Sequence, residues 1–416
     1  MSYIARVVDL EMTERLKTAG LVVVEGPRAV GKTETAKLFA KSKVHLDTDK
    51  SAKALVAMGS NLVLEGETPR LIDEWQSESG VWELVKQEVD DRKLKGQFIL
   101  TGSAMPSDAV TRTTVAGRIA RIKMRPLSLF ESGNSTGEVS IAELFEGSEP
   151  RAADAGMTVS KVVDLICTGG WPTYFNEPVD TARQGMQDYL DEISRMDVQQ
   201  VSGVDHDPIR VKAVLQSLAR NVGTKTSVTT ITADAAGSSG NLDWEVVDKH
   251  LLALSRLVIT EDLPSWAPHI RSKARLRNSA TRFFVDPVLA VAALQSSPTT
   301  LLNDLEALGL LFENLVVRDL RIYSQRARAR LSQYRDSNNL EADVIIESFG
   351  GKWAAIEVKL GVNQVDDGAA TLLRLAREVD TSKMGKPTFL AVITSTGYAY
   401  KRPDGVFVVP IGNLRP

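Results

Sequence analysis

Short apolar runs alternate with helical patterns along the first third of the chain. Five of these runs have the length and composition of buried strands, at residues 21–25, 44–47, 70–73, 97–101 and 119–124. Between the third and fourth runs, residues 81–91 carry apolar side chains at helical spacing, as a surface helix does. Strands that alternate with helices favour a parallel sheet covered by helices. The pattern therefore predicts an α/β domain over residues 1–135.

Helical periodicity dominates the middle of the chain. A break rich in Gly, Ser and Asn at residues 134–136 precedes further helical patterns, which predict a helical lid or linker over residues 136–204. Residues 205–299 then contain three helical patterns and two short strand patterns. Three helices with a two-stranded ribbon are typical of a winged-helix domain, and the ribbon is expected at residues 257–261 and 282–285.

A second alternation of helix and strand patterns begins near residue 300. A long helical pattern over residues 301–327 is followed by strand patterns at residues 331–335, 342–347 and 353–360. A chain of 416 residues is too long for a single hydrophobic core. We therefore expect a multidomain α/β protein whose last domain, also α/β, covers residues 300–416.

Composition restricts the class of protein. Hydrophobic residues make up 43% of the chain and charged residues 25%, as in an ordinary globular protein. Cys167 is the only cysteine, so no intramolecular disulfide can form and a reducing compartment is expected. Glu11, Glu14 and Arg15 interrupt any signal-peptide core, and no apolar run has membrane-spanning length. These features predict a cytoplasmic protein that has no membrane partner.

The net charge of −3 provides no overall attraction to nucleic acid, so contact with DNA or RNA must come from local basic segments. Residues 271–282 contain five basic residues and no acid, and residues 318–335 contain six arginines against Asp319 alone. Such segments are also common as solvated surfaces. The third helical pattern of the winged-helix region is acidic, which favours contact through the basic loop, non-specific contact, or a packing role for that region.

A complete phosphate-loop pattern follows the first predicted strand. It has the form G-x-x-x-x-G-K-[ST] and comprises Gly26, Pro27, Arg28, Ala29, Val30, Gly31, Lys32 and Thr33. Between a strand and a helix, such a loop aims backbone N–H groups and the positive helix end at the phosphates of a nucleotide. We expect Lys32 to reach the outer phosphates of ATP and Thr33 to hold Mg²⁺. The alternative is a glycine turn that carries an exposed lysine.

Polar groups at the ends of two later strands would complete a nucleotide-hydrolysing site. Asp73 closes the third strand and can hold the magnesium with Thr33, while Glu74 can orient and deprotonate the attacking water. Thr101 and Ser103 end the fourth strand, where a hydroxyl could orient that water or sense the terminal phosphate. Capping of a strand end or a turn by these side chains is the alternative.

An arginine is expected to neutralise negative charge in the transition state. Arg118 follows Gly117 and precedes the fifth strand, which makes it the first candidate, either in the same chain or on a neighbouring subunit. Arg112 and Arg121 are close alternatives. A contribution from a neighbouring subunit would require a homo-oligomer.

A second group of chemically active residues lies in the last predicted domain. Asp343 opens the second strand pattern there, and Glu357 and Lys359 are two residues apart on the third, so they share one face of that strand. Two carboxylates and an ammonium group are what metal-assisted phosphodiester hydrolysis needs, and Glu313 on the preceding helix could complete the metal shell. A cross-strand cluster of salt bridges is the alternative.

The whole chain resembles a bacterial and archaeal family of AAA-superfamily ATPases, which have an N-terminal P-loop domain and a C-terminal domain of PD-(D/E)xK, or restriction-endonuclease-like, fold. Besides the phosphate loop, the matching segments are LIDE at 71–74 with Gln76, LTGS at 100–103, GR at 117–118, PLSLFE at 126–131, GGWP at 169–172, FEN at 312–314, YR at 334–335, EAD at 341–343 and IEVK at 356–359. Two departures are Ala342, where proline is common, and the segment 280–282, where the family usually has a lysine.

The resemblance implies ATP binding, ATP hydrolysis and a nuclease-like module. We therefore expect a Mg²⁺-dependent ATPase whose nucleotide state controls a nuclease-like domain that acts on DNA or RNA. The alternative is an ATP-controlled protein that binds nucleic acid or a protein partner and does not cleave.

Overall fold

The computed structural model describes residues 3–103, 117–202, 207–239, 242–267, 279–336, 340–379 and 384–416. The chain forms two compact units, one comprising Met1–Pro126 with Arg256–Val258 and the other Leu127–Ser255 with Ile259–Pro416. Residues 127–135, which the sequence pattern placed in the first domain, thus belong to the second unit. Within the described ranges, no helix is long and apolar enough to cross a membrane.

The first unit is built on a five-stranded parallel sheet. Its strands are β1 (Leu21–Glu25), β2 (Ser42–His45), β3 (Arg70–Asp73), β4 (Phe98–Gly102) and β5 (Ile119–Lys123), in the order β2-β3-β4-β1-β5. All five residues of β1 and of β4 are buried, as in a parallel sheet that has both faces covered. The predicted N-terminal α/β arrangement is therefore confirmed.

Four α-helices accompany this sheet in the described part of the first unit. They are α1 (Val8–Thr18), α2 (Lys32–Phe39), α3 (Lys50–Ala57) and α4 (Val81–Arg92). Helix α4 buries Val81, Trp82, Val85 and Val89, so its apolar stripe faces the core as the helical spacing predicted. Its tryptophan packs on Trp75, with the two ring centroids 5.3 Å apart. These contacts belong to the hydrophobic core of the first unit.

The register of the sheet brings three strand ends to one edge. Glu25 of β1 lies beside Gly102 of β4, and Asp73 of β3 lies beside Thr101 of β4. Because the strands are parallel, the segments that follow β1, β3 and β4 all leave the sheet at this edge, where ligands bind in such folds.

The second unit contains most of the helices. They are α5 (Ile141–Phe145), α6 (Val159–Thr168), α7 (Val179–Glu192), α8 (Val198–Ser202), α9 (Pro208–Arg220), α10 (Val228–Ser239), α11 (Trp244–Arg256), α12 (Val288–Ala293), α13 (Pro298–Leu302), α14 (Leu305–Arg326) and α15 (Val365–Glu378). A π-helical stretch, Ile193–Asp197, joins α7 to α8. The helix predicted over residues 301–327 is two helices. The first ends at Leu302, and Asp304 caps the start of the second by accepting a hydrogen bond from the Ala307 N–H at 3.0 Å.

The predicted two-stranded ribbon of the middle region is reduced to isolated bridges. Thr260 pairs with Phe284 and Leu263 pairs with Thr281, without forming continuous strands. The loop after α9 joins this arrangement, because Gly223 N–H donates to the Arg282 carbonyl at 2.9 Å. Residues 271–278, which make up most of the basic segment 271–282, lie outside the described residues.

A mixed six-stranded sheet forms the C-terminal part of the second unit. Its strands are β7 (Arg330–Arg335), β8 (Glu341–Glu347), β9 (Trp353–Lys359), β10 (Leu390–Thr394), β11 (Tyr400–Lys401) and β12 (Phe407–Pro410), in the order β11-β12-β10-β9-β8-β7. A separate short pair joins β6 (Val139–Ser140) to β13 (Leu414–Arg415). Strands β7 to β9 were predicted from the sequence, whereas β10 to β12 were not.

A buried ion network fixes α14 within the second unit. Arg318 contacts Asp286 and Asp319 at 2.8 and 2.7 Å, and the three side chains are almost fully buried. The Leu129 N–H donates to Asp319 at 3.0 Å, and the Gly170 N–H donates to Asp286 at 3.0 Å. Of the segments in the family resemblance, PLSLFE thus bonds directly to Asp319 of α14, and GGWP bonds to Asp286, which pairs with Arg318 of α14.

This network corrects part of the prediction that the basic segment 318–335 contacts nucleic acid. Arg318 is 2% exposed and Arg321 is 7% exposed, so neither can meet nucleic acid. Their helical spacing places both on the buried side of α14. Arg326, Arg328 and Arg330, at and after the end of the helix, are exposed.

Candidate functional site

The loop between β1 and α2 has the conformation of a phosphate-binding loop. Ala29 and Gly31 have φ values of 63° and 97°, in the left-handed region. Alternating right- and left-handed residues turn successive N–H groups towards one side of the loop, which is the basis of anion-binding nests. At Gly26 a Cβ atom would overlap the carbonyl oxygen of Met124, so only glycine fits there.

Lys32 is held inside this loop. It is 5% exposed, and its Nζ donates to the carbonyl oxygens of Gly26 and Pro27 at 3.0 and 2.7 Å. Burial lowers the pKa of Lys32 to about 8, although the carboxylates of Glu74 and Asp73 oppose the shift. The alternative of an exposed lysine on a plain glycine turn is therefore wrong.

Arg6 is a buried arginine that bonds to the phosphate loop, and the sequence did not indicate this role. Arg6 is 7% exposed, and its guanidinium donates to the carbonyl oxygens of Val30 and Arg125 at 3.0 and 2.6 Å. The guanidinium group carries five N–H donors in a fixed planar arrangement, so it can bridge two backbone segments in this way. No motif in the sequence indicates this role, because Arg6 lies twenty residues before the loop.

Asp73 lies beside Thr33, the last residue of the phosphate-loop pattern. The Thr33 hydroxyl donates to Asp73 Oδ1 at 2.9 Å, and the Thr101 hydroxyl donates to the same oxygen. The other carboxylate oxygen lies 3.0 Å from His45 Nδ1, a contact that the sequence did not predict. A hydroxyl and a carboxylate at this distance are hard oxygen donors of the kind that suits Mg²⁺, which takes its remaining ligands from phosphates and water.

Glu74 follows directly and lies close to Lys32 and Ser103. Burial raises the pKa of Glu74, while Lys32 and a hydrogen bond from Gln76 oppose the shift. Gln76 Nε2 donates to Glu74 Oε2 and, at 3.1 Å, to Ser103 Oγ. A carboxylate and a hydroxyl next to a buried lysine can orient and deprotonate a water molecule. The Gln76 contact was not predicted from the sequence.

The structure does not bring Arg118 to this edge of the sheet. Its carbonyl oxygen accepts from the Gly20 N–H at 2.9 Å, so it lies at the amino end of the strands, and its side chain pairs with Asp90. A role for Arg118 in the site of its own chain is therefore not supported, while a role on a neighbouring subunit stays a prediction. Of the two alternatives, Arg121 pairs with Glu25 and Arg112 lies outside the described residues.

In the second unit, the predicted acidic and basic residues of β8 and β9 lie together. Lys359 Nζ is 2.7 Å from Glu357 Oε2, and Asp343 Oδ2 accepts from the Val358 N–H at 2.8 Å. Burial and the Asp343 carboxylate raise the pKa of Glu357 to about 8. The pKa of Lys359 is also raised: burial alone would lower it, but the Glu357 and Asp343 carboxylates outweigh burial.

Glu313 on α14 shares this environment. Burial, followed by the charges of Asp343 and Glu357, raises its pKa well above the ordinary value. Like charges in a buried site have this effect, and a cation would relieve it. However, across the ranges that the structure describes, no three or more carboxylate, imidazole or thiol groups are arranged to hold a metal ion. The predicted metal shell of Glu313, Asp343 and Glu357 therefore stays a prediction.

A lysine from outside the C-terminal sheet approaches the same face. Lys225, in the loop between α9 and α10, has a buried Nζ without a hydrogen-bond partner in the described part of the chain. Burial lowers its pKa, and Glu341 and Arg335 are its charged neighbours. The sequence did not indicate Lys225, since no spacing rule connects it to β8.

Three segments of the chain match family models. Residues 18–132 match an AAA domain, residues 159–300 match a domain of unknown function, DUF8612, and residues 308–414 match another, DUF4143. The AAA match contains the phosphate loop together with Asp73, Glu74, Thr101 and Ser103. The chain therefore carries an AAA-type ATPase-like domain. No curated protein matches the chain.

Several solved structures are distantly similar to the chain. A Walker-type ATPase of Pyrococcus abyssi is 13% identical, with 68% of this chain and 94% of the other covered and a TM-score of 0.42. A DNA replication initiation factor is 16% identical, with 60% and 86% covered and a TM-score of 0.22. A STAND protein with a tetratricopeptide repeat sensor from Pyrococcus horikoshii is 14% identical, with 76% and 48% covered and a TM-score of 0.25.

Proposed function

We propose that the first unit binds ATP and hydrolyses it with Mg²⁺. The observation that carries this proposal is the meeting of three features at one sheet edge: the phosphate loop with its buried lysine, the contact between Thr33 and Asp73, and Glu74 beside them. The match to an AAA domain over the same residues supports the proposal.

Each group has a specific task in this proposal. The backbone of residues 26–31 and Lys32 bind the phosphates, while Thr33 and Asp73 hold Mg²⁺, which shields phosphate charge when bound. Glu74 orients the attacking water and accepts its proton. Thr101 fixes the Asp73 carboxylate, and Ser103 contacts the same amide as Glu74.

Phosphate release by the intact chain tests this proposal. Lys32→Ala is expected to reduce the hydrolysis rate by about a hundredfold or more, because a charge aimed at the phosphates is removed. Lys37→Ala is the matched control: it lies on the same helix, pairs with Glu34 at the surface and should leave the rate unchanged. Equal rates in wild type and Lys32→Ala would contradict the proposal.

We further propose that the nucleotide state controls a nucleic-acid-binding second unit. In this scheme a helical lid or linker covers residues 136–204, a winged-helix region covers residues 205–299, and a nuclease-like domain covers residues 300–416. The order of three helices, α9 to α11, followed by bridged segments supports the middle assignment. The grouping of Asp343, Glu357 and Lys359 supports the last one.

A second candidate function is an ATP-controlled regulator that binds nucleic acid or a protein and does not cleave. It is favoured by the C-terminal cluster, which we define as Glu313, Asp343, Glu357 and Lys359, because the described part of the chain shows no group of three or more acids that could hold a metal ion. In either case, Arg326, Arg328 and Arg330 are the exposed residues that we propose as a contact for DNA or RNA. A homo-oligomer in which Arg118 acts across subunits remains part of the proposal.

A further inference from the structure

The side-chain amide of Gln76 bridges two strand ends of the first unit. Its Nε2 carries two hydrogens and contacts two acceptors, Glu74 Oε2 beyond β3 and Ser103 Oγ, 3.1 Å away, beyond β4. Both donor positions of the amide are therefore in use. Gln76 is the one residue of the short 3₁₀ turn Trp75–Glu78 whose side chain makes both contacts.

The orientation of this amide follows from charge. If the amide were flipped, its oxygen would face the Glu74 carboxylate, which repels it, so the nitrogen must lie on that side. The oxygen, Oε1, is then buried and has no hydrogen-bond partner among the described residues. A buried acceptor without a donor costs free energy, which the bond to a charged carboxylate can offset.

Glycine at residue 102 leaves room for this amide in the orientation that it has. A Cβ atom there would overlap Gln76 Oε1 and would lie 2.9 Å from the indole nitrogen of Trp75. The space beside the end of β4 is thus shaped around the Gln76 side chain.

The backbone at Glu74 also needs external support. Glu74 has a φ of 51°, in the left-handed region that residues other than glycine rarely adopt. Its carbonyl oxygen accepts from the Ser77 hydroxyl at 2.8 Å, which holds the turn. Because the backbone is fixed in this way, the direction of the Glu74 carboxylate depends on the side chains that contact it. Gln76 is a neutral side chain that makes such a contact.

We propose that Gln76 is a positioning residue for ATP hydrolysis: it holds the carboxylate of Glu74 in one orientation and ties it to Ser103 at the end of β4. This inference rests on the ATPase activity proposed above. Gln76 contacts neither the phosphates nor the water in this scheme, and it acts through Glu74.

Gln76→Met tests the inference, since methionine keeps the length of the side chain and removes both donors. In single-turnover reactions with radiolabelled ATP, the hydrolysis rate should fall about tenfold to a hundredfold, as supporting contacts to reactive groups usually do when removed. The Kd for ATP should change by less than about twofold, because the phosphate contacts remain. Ser103→Ala removes one acceptor of the amide and should cause a smaller loss of rate in the same direction.

A double variant separates positioning from a structural effect. In the Glu74→Gln background, Gln76→Met should lower the rate by no more than about twofold further, because two residues that act as one unit are not additive. Gln184→Met is the matched control: Gln184 also donates to a carboxylate, that of Asp188 at 3.2 Å, but on an exposed face of α7. Its rate should equal that of wild type.

Three results would overturn the inference. A Gln76→Met variant that hydrolyses ATP within twofold of wild type would show that the amide has no influence. If the fold-losses in hydrolysis rate of Gln76→Met and Glu74→Gln multiply in the double variant, Gln76 does not act through Glu74. If wild type binds but does not hydrolyse ATP, the proposed ATPase activity itself fails, and the inference with it.

Discussion

At the residue scale, the phosphate loop depends on positions whose neighbours leave little freedom. Gly26 approaches the backbone of Met124 so closely that a methyl group would overlap its carbonyl oxygen. The buried Lys32 ammonium bonds to the loop itself. Small changes here should therefore alter ligand binding.

Gly26→Ala is expected to weaken ATP binding by at least about tenfold, because packed backbone atoms must move to admit the methyl group. Equilibrium titration with a fluorescent ATP analogue measures the effect. Gly309→Ala serves as the control: beyond the adjoining backbone of its own helix, no described atom lies within 4 Å of the Cβ that it would gain, so its affinity should match wild type. An unchanged affinity in Gly26→Ala would show that the loop does not need this close approach.

Local spacing explains which site residues could be predicted. Lys32, Thr33, Asp73 and Glu74 belong to short motifs at strand ends, and the structure places them at one edge of the sheet. Long-range partners such as Arg6 could not be found in this way, because only folding brings them to the loop. Arg118 was assigned from its position in the sequence before a strand, but the parallel register places it at the opposite edge.

At the element scale, α14 combines the buried ion network with one member of the C-terminal cluster. Arg318 and Asp319 face inwards, and Glu313 lies on the same helix. Charge counts alone assigned this part of the chain to a basic surface, since sequence does not show burial directly. The cap at Asp304 was detectable, because Asp is a preferred residue before a helix.

Asp319→Ala should destabilise the protein by about 3–5 kcal/mol, since it leaves Arg318 with one fewer buried partner and frees the Leu129 N–H. Urea unfolding followed by tryptophan fluorescence measures the loss. Asp180→Ala removes a surface ion pair with Arg183 and should cost less than about 1 kcal/mol. Similar losses in the two variants would mean that the network is not a major source of stability.

At the scale of the whole molecule, the parallel sheet of the first unit followed from its alternating pattern. The second unit was less predictable, because the pairing of distant strands such as β9 and β10 depends on tertiary packing. The function that we propose for this unit depends on two groups of residues, the C-terminal cluster and the exposed arginines after α14.

The C-terminal cluster can be tested by cleavage of labelled DNA and RNA with Mg²⁺ or Mn²⁺, with and without ATP. If the nuclease-like proposal holds, Lys359→Ala should abolish cleavage, because the ammonium group that balances Glu357 and Asp343 is removed. Lys352→Ala, an exposed lysine next to β9, should retain it. No cleavage by wild type under any of these conditions would favour the non-cleaving regulator.

Nucleic-acid contact can be tested independently of cleavage. Replacing Arg326, Arg328 and Arg330 by alanine should weaken binding and make the slope of log K against log salt shallower by up to about 3, roughly 0.9 for each phosphate of duplex DNA that the variant no longer neutralises. Fluorescence anisotropy across a salt series measures both quantities. A slope equal to that of wild type would place the nucleic-acid surface elsewhere.

The proposed ATPase activity requires that the first unit binds a nucleoside triphosphate through its phosphate loop. Isothermal titration calorimetry of the intact chain with ATP and Mg²⁺ tests it most directly. The structure predicts a heat of binding at one site per chain, and a strongly weakened one for Lys32→Ala. The measurement is repeated over a range of temperatures, which excludes an accidental zero enthalpy. If the wild-type chain shows no heat of association at any of them, the phosphate loop does not bind ATP.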